Sequence, residues 1–312
     1  MIIALKSRIL QNSRDDDLRS PSRVTSSLPL RLGLTLWSHP AWQSEFYGSG
    51  TQASERLAKY ASVFHTVEGN TTFYASPSPS TVLNWRAATH DDFRFTFKLP
   101  KSITHQHLLR DCKEELLSFL RLMQPLHDRI GMWTIQLPAA FGPEHLAQLK
   151  NFRDWFPVDF PLGVEVRHLA FFGKGEAEKA LNQWLIEQNI DRIIMDSRPV
   201  FSALPNTEAV IDAQQKKPKV PVHAIATAKH PMIRFIGHPE IEANLPFFGA
   251  WLHKLPEWIA QGKQPYLMIH TPDNDFAPQL AVQLYQQLQQ AIALPDLAPF
   301  PATPEQPQLS MF

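Results

Sequence analysis

Eight short runs of β-forming residues recur along the chain, most of them separated by stretches with helical periodicity. They fall at residues 31–37, 63–69, 93–98, 131–137, 162–167, 192–196, 232–236 and 266–270. Strands alternating with helices imply parallel βαβ units. Eight such units close into a barrel, so the predicted fold is α/β, a single (β/α)₈ TIM barrel. An open doubly wound sheet is the competing arrangement. A glycine-rich turn after strand one would favour it, but residues 35–42 read TLWSHPAW, with no G-x-G-x-x-G. Helix starts are legible at Thr51 or Ser54, at Ser78-Pro79, at Asp111 and at Gly142-Pro143, and a last helix spans about residues 277–293.

Side chains along a strand alternate between its faces. Leu32, Leu34 and Leu36 share one face; Phe93, Phe95 and Phe97 share another, as do Trp133 and Ile135, Val164 and Val166, Ile233 and Phe235, and Leu267 and Ile269. These apolar faces are expected against the helices. The opposite faces carry polar residues late in each strand, where a barrel has its mouth and its active site. The inward set is Glu68, Asn70, Lys98, Gln136, Glu165, Arg167, Asp196, Arg234 and His270, with Trp37 at the inward end of strand one. His105, His168 and Asn274 lie on the adjoining loops. Residues 197–230 break the regularity: SRPVFSALPN and KKPKVPVHAIATAKHP are too rich in proline and base for one helix. They predict a short helix near 203–215 and an extended loop, either a cover for the mouth or a plain surface excursion.

Lys plus Arg and Asp plus Glu both number 30 in 312 residues, so the net charge is zero. That argues against a basic coat and against direct nucleic-acid binding; Lys216, Lys217, Lys219 and Lys229 read as a solvated loop. Cys112 is the only cysteine, which excludes an intramolecular disulfide and a thiolate metal cluster and suits a reducing cytoplasm. No run approaches the roughly 18 apolar residues of a membrane span, and the apolar part of MIIALKSRIL is too short for a signal-peptide core. Residues 1–28, polar and rich in Ser and Arg, are expected to be disordered; 29–294 form the barrel; 295–312 form a proline-rich tail.

Three chemistries fit the inward set. Lys98, Arg167 and Arg234 come from three strands and would hold a phosphate or carboxylate. Glu68, Glu165 and Asp196 match them in number, so a self-neutralised ion-pair lattice fits as well. Glu68 and Glu165 as an acid–base pair, with Asp196 and His105 beside them, would suit a hydrolase or isomerase acting on a small polyhydroxylated substrate. Trp37, Asn70, Gln136, His168 and His270 would complete its binding surface. No cofactor is predicted. A divalent metal on His105, His107, Glu165, His168, Asp196 and His270 is the lesser alternative, since no H-E-x-x-H or comparable spacing occurs.

The segments LGLTLWSHPAW, VEGNTTFYASPSPSTVLNW, FRFTFKLPKSITH, IQLPAAF, LGVEVRH, IIMDSRP and MIRFIGHP resemble the YecE-like family, a bacterial and archaeal group named as a domain of unknown function. The resemblance spans about residues 30–275 and implies a TIM barrel, with no established reaction. The chain departs from the family pattern in three places. Gly69 stands where an apolar residue is usual, Phe235-Ile236-Gly237 replaces Leu-His-Gly, and strand eight ends in IHTPDND, where an aromatic-Asn pattern is usual.

The tail reads PDLAPFPATPEQPQLSMF, whose prolines preclude a regular helix and favour an extended tether. Gln308, Leu309, Ser310, Met311 and Phe312 resemble the Q-L-S/D-L-F peptide with which bacterial polymerases and repair proteins dock on the replication sliding clamp. Leu309, Met311 and Phe312 would be the apolar anchors and Gln308 the directional hydrogen-bonding group. The competing expectation is that the tail folds back onto the barrel.

Overall fold

The parallel strands close on themselves in sequence order, β1-β2-β3-β4-β5-β6-β7-β8, in a computed structural model that describes residues 28–303. The strands are β1 (Arg31–Leu34), β2 (Thr66–Gly69), β3 (Arg94–Lys98), β4 (Ile130–Gln136), β5 (Leu162–Glu165), β6 (Asp191–Asp196), β7 (Met232–Ile236) and β8 (Tyr266–His270). The α-helices are α1 (Arg56–Ala61), α2 (Thr71–Tyr74), α3 (Pro79–Ala87), α4 (Lys113–Leu122), α5 (Leu146–Arg153), α6 (Glu176–Glu187), α7 (Arg198–Ser202), α8 (Glu208–Lys216), α9 (Leu245–Ala260) and α10 (Ala277–Ala291). This is the TIM barrel that the strand spacing predicts. Among the described residues no helix is long and apolar enough to cross a membrane.

Local chemistry sets the elements. Ser78 caps α3 by accepting the Thr81 N–H at 3.1 Å, and Pro79 occupies the first turn, where its missing N–H costs nothing. Thr207 caps α8 in the same way through the Val210 N–H at 3.3 Å. The apolar strand faces are buried under the helices, with Phe95 and Phe97 of β3 and Phe93 just before it in a row at 5.0 and 5.1 Å between rings. Burying each such side chain contributes roughly 1.5–3 kcal/mol. Gly69 lies on this outer face, and a Cβ there would stand 2.2 Å from the Phe97 ring. The phenylalanine therefore fills the space that the family's usual apolar residue would take.

Inside the barrel, Met132, Ile193, Met232, Tyr266 and Met268 form an apolar floor. Ile236, at the position where the family has histidine, packs with Met195, Val200 and Ala213 beneath α7 and α8. The β6–β7 connection holds two short helices, α7 and α8, in place of the one expected, and then runs without regular structure to Pro231.

The first half of the proline-rich segment is not a free tether. The Pro295 carbonyl accepts the Tyr285 hydroxyl at 2.9 Å, the Phe300 ring meets Phe46 at 4.8 Å, and the Ala302 N–H donates to the Phe46 carbonyl at 3.0 Å. The prolines exclude a helix there, as expected, but residues 295–303 lie on the barrel. Gln308, Leu309, Met311 and Phe312 lie outside the described residues, as do residues 1–27.

Candidate functional site

Alternation along β2, β3, β5 and β7 delivers Glu68, Lys98, Glu165 and Arg234 to one layer at the C-terminal end of the barrel, each buried. Arg234 is its centre. Its Nε and Nη2 donate to Glu68 Oε2 and Oε1 at 2.6 and 2.9 Å, and its Nη1 donates to Glu165 Oε2 at 2.8 Å. Arg167 grips the other oxygen of Glu165 through Nε and Nη2 at 2.8 and 2.7 Å. Lys98 Nζ stands 3.1 Å from Glu68 Oε1. Burial sharpens these contacts, because a low local dielectric strengthens each pair and makes any unpaired member costly.

The ionisation states follow. Burial alone would raise the Glu68 and Glu165 carboxyls, but the charges of Arg234 with Lys98, and of Arg234 with Arg167, outweigh it and lower each to about 2. Burial, followed by the Arg234 charge, lowers the Lys98 ammonium to about 8. His270 Nδ1 lies 2.8 Å from the Thr35 hydroxyl, and burial with the charges of Lys217, Arg234 and Lys98 holds the ring neutral. His105 is half-buried at the rim, edge-on to Phe73 at 5.0 Å; burial, then Arg167 and Lys101, lowers it to about 4. Asn70 spans the mouth's edge, donating from Nδ2 to the Thr35 carbonyl at 2.7 Å. Gln136 is buried at the end of β4, and its Oε1 has no hydrogen-bond partner among the described residues.

Three expectations need correction. Asp196 does not face the mouth. Residues 192, 194 and 196 of β6 point to the helices, and Asp196 binds Arg198 at 2.9 and 2.7 Å and the Trp251 indole N–H at 2.8 Å. Trp37 is not at the mouth either. β1 ends at Leu34, the alternation stops with it, and Trp37 lies edge-on to Trp85 and Phe95 in the outer layer at 5.4 and 6.4 Å. His168 accepts the Ala170 N–H at 3.2 Å, so it caps the turn that follows β5. With Asp196 outside and His168 so used, the expected metal donors do not gather. Among the described residues no three His, Cys, Asp or Glu side chains are placed to hold an ion together. Asn274 turns the chain after β8 at φ +68°, and its carbonyl accepts the Trp42 indole N–H at 2.8 Å.

One mouth residue lies where the sequence predicts a solvated loop. Lys217, just past α8, is partly buried where the charges of Arg234, Lys98, Glu68 and Glu165 all act on it. Burial, then the two cations, lowers its ammonium to about 7. The only cue in the sequence is the proline that follows it, which stops α8 at that point. With Asp196 removed and Lys217 added, the carboxylates that act on Arg234, Arg167, Lys98 and Lys217 in the mouth are, among the described residues, Glu68 and Glu165.

A family model described as "Protein of unknown function DUF72" matches residues 31–306. The UPF0759 protein YecE of Escherichia coli K12 is 49% identical over 278 residues, which cover 89% of this chain and 98% of that one. The same protein of E. coli O157:H7 is 48% identical over the same span. Crystal structures of DUF72 family proteins superpose on the barrel. That from Enterococcus faecalis V583 has a TM-score of 0.66 at 22% identity, covering 86% of this chain and 98% of its own. That from Thermotoga maritima MSB8 has a TM-score of 0.64 at 25% identity, covering 83% and 99%.

Proposed function

We infer that this chain, which belongs to the DUF72 family, is a barrel enzyme whose mouth binds a small anionic substrate such as a phosphate monoester or a carboxylate. The observation that carries this reading is the surplus of positive charge: Arg234, Arg167 and Lys98, with a partly protonated Lys217 beside them, against two carboxylates, in a layer where a self-neutralised lattice would have equal numbers. An anion offsets that surplus. Donors remain for it, because Arg167 spends Nε and Nη2 on Glu165 and leaves Nη1 without a partner among the described residues. The unmatched Gln136 Oε1 supports a hydroxyl on the same ligand, since an acceptor needs a donor. Glu68 and Glu165, held near a pKa of about 2, are weak bases at neutral pH and serve to orient the cations. Lys98 and Lys217 have values suited to proton transfer near neutrality.

Arg167 is the outermost member, with 19% of its side chain exposed. Replacing it with Ala should weaken binding of inorganic phosphate roughly tenfold to hundredfold, the worth of one charged hydrogen-bonding group. Glu165 keeps Arg234, so the thermal midpoint should barely move. Calorimetric titration beside thermal unfolding tests both. Failure of the wild type to bind phosphate or simple carboxylates at millimolar concentration, or unfolding of Arg167→Ala, would favour the lattice.

A second reading concerns recruitment. The likeness of Gln308–Phe312 to a clamp-docking peptide supports delivery of the barrel to sites of DNA replication or repair by the sliding clamp, with no basic surface of its own. Anchoring of Phe300 and Ala302 on Phe46 shortens the tether that this reading calls for. Full-length chain should bind purified clamp at micromolar concentration, and a chain ending at Pro307 should not. Equal binding by both, or by neither, removes the idea.

A further inference from the structure

We propose that Lys217 is a nucleophilic amine that forms an imine with a small phosphorylated aldehyde or ketone whose phosphate is held by Arg167 and Lys98. The proposal rests on the anion-binding reading of the mouth and names the substrate class for it.

Lys217 is pinned at its root. Its N–H donates to the Ala213 carbonyl at 2.9 Å, closing the last turn of α8. Pro218 forbids another helical turn, and its carbonyl accepts the Ser197 hydroxyl at 2.9 Å, tying the chain to the end of β6. The helix seats Ala213, one turn before the lysine, against Met195, Val200 and Ile236. From this root the side chain comes within electrostatic reach of Glu68, Lys98, Glu165, Arg234 and His270, which β2, β3, β5, β7 and β8 carry.

Its partners set Lys217 apart from its neighbours. Arg234, Arg167 and Lys98 each contact a carboxylate. Lys216 pairs with Asp212 at 2.6 Å, and Lys219 lies over the Phe201 ring at 5.4 Å. Lys217 has no side-chain hydrogen bond or ion pair among the described residues. A partly desolvated lysine facing two further cations and no dedicated carboxylate favours its neutral form, which is the nucleophile. Burial, then Arg234 and Lys98, lowers its ammonium to about 7, so much of it is free amine at neutral pH.

The chemistry balances without a further reactant. The Lys217 Nζ lone pair forms a bond to the carbonyl carbon, and the C=O π pair moves to oxygen. A proton lost by nitrogen neutralises that oxygen and gives a carbinolamine. The nitrogen lone pair then forms C=N as the C–O bond breaks, and the oxygen leaves as water with the second nitrogen proton. Lys98, lowered to about 8 and acting electrostatically on Lys217, would pass these protons.

The test uses full-length protein and pyridoxal 5′-phosphate, an aldehyde that carries a phosphate, with pyridoxal as the control that lacks it. Reduction with borohydride delivers hydride to the imine carbon and fixes the adduct for peptide mapping. The expected result is about one adduct per chain on Lys217, formed at least tenfold faster than with pyridoxal and suppressed by inorganic phosphate. Lys217→Arg removes the nucleophilic amine and leaves a permanent cation in its place, so it should lose the adduct while still binding phosphate by calorimetry. Adducts on Lys98, or scattered over surface lysines, or unchanged in Lys217→Arg, overturn the proposal even if phosphate binds. Equal rates with and without the phosphate group, together with no phosphate binding, overturn the anion-binding reading and the substrate class with it.

Discussion

Arg234→Ala should be among the most damaging single substitutions in the barrel, costing about 3–5 kcal/mol, the usual penalty for removing one partner of a buried charge pair. Arg234 is the one described residue that hydrogen-bonds both Glu68 and Glu165, through three donors at 2.6–2.9 Å. Without it, Glu68 retains only Lys98 and Glu165 only Arg167, while both carboxylates stay out of water. For a domain of this size such a loss lowers the thermal midpoint by roughly 10 °C. The ordering of variants is as informative as the size. Arg167→Ala should cost far less, and the double variant Arg234→Met with Glu68→Gln should recover part of the loss, because it removes a charge along with its partner. Thermal unfolding of the three proteins provides the check. An Arg234→Ala midpoint within about 3 °C of wild type would show that water or a bound ion already screens the cluster.

The barrel was legible because its signal is repeated eight times. β7 and β8 begin and end where the sequence runs do, at 232–236 and 266–270. The mouth was legible wherever a strand alternates cleanly. FRFTFK places Lys98 opposite three phenylalanines, LGVE places Glu165, MIRF places Arg234 and YLMIH places His270, and all four are inward. Asp196 was misplaced because RIIM offers no alternation, and either parity fits it. Trp37 was misplaced because alternation holds only while the chain is a strand, and β1 stops three residues earlier. Lys217 was missed for a different reason: its position depends on where α8 ends relative to β6, a tertiary relation with no local period. Phe300 was missed likewise, since proline spacing excludes a helix but says nothing about what an extended segment will lie against.

Stability should fall steeply as pH drops from about 6.5, well above the range in which carboxylates protonate. His65 accepts the Leu32 N–H on Nδ1 at 3.3 Å; burial, then Arg31 and His90, lowers it to about 4. His127 is lowered by burial. His270 is held well below its ordinary value by burial and the cations around it. Each of these folded-state values lies below the unfolded one, so the unfolded chain takes up protons first. The stabilisation is complete above the unfolded value near 6.5 and is lost as pH falls toward the folded values. A ring that stays neutral in the folded barrel while it is protonated in the unfolded chain contributes a slope of at most roughly 1.4 kcal/mol per pH unit, and the slopes of such rings add. Glu68 and Glu165 continue the trend lower down, between about pH 4.5 and 2, because their folded values are also depressed. Lys98 and Lys217 extend it upward with the same sign, since their lowered values favour the folded state as pH rises from neutrality toward 10. Urea unfolding midpoints measured from pH 8 to 4.5 should therefore drop sharply below about 6.5. His65→Gln, which keeps an acceptor without a titrating ring, should remove about one proton from the slope. A midpoint that stays level between about pH 7 and 5 would mean that these rings protonate freely in the folded barrel.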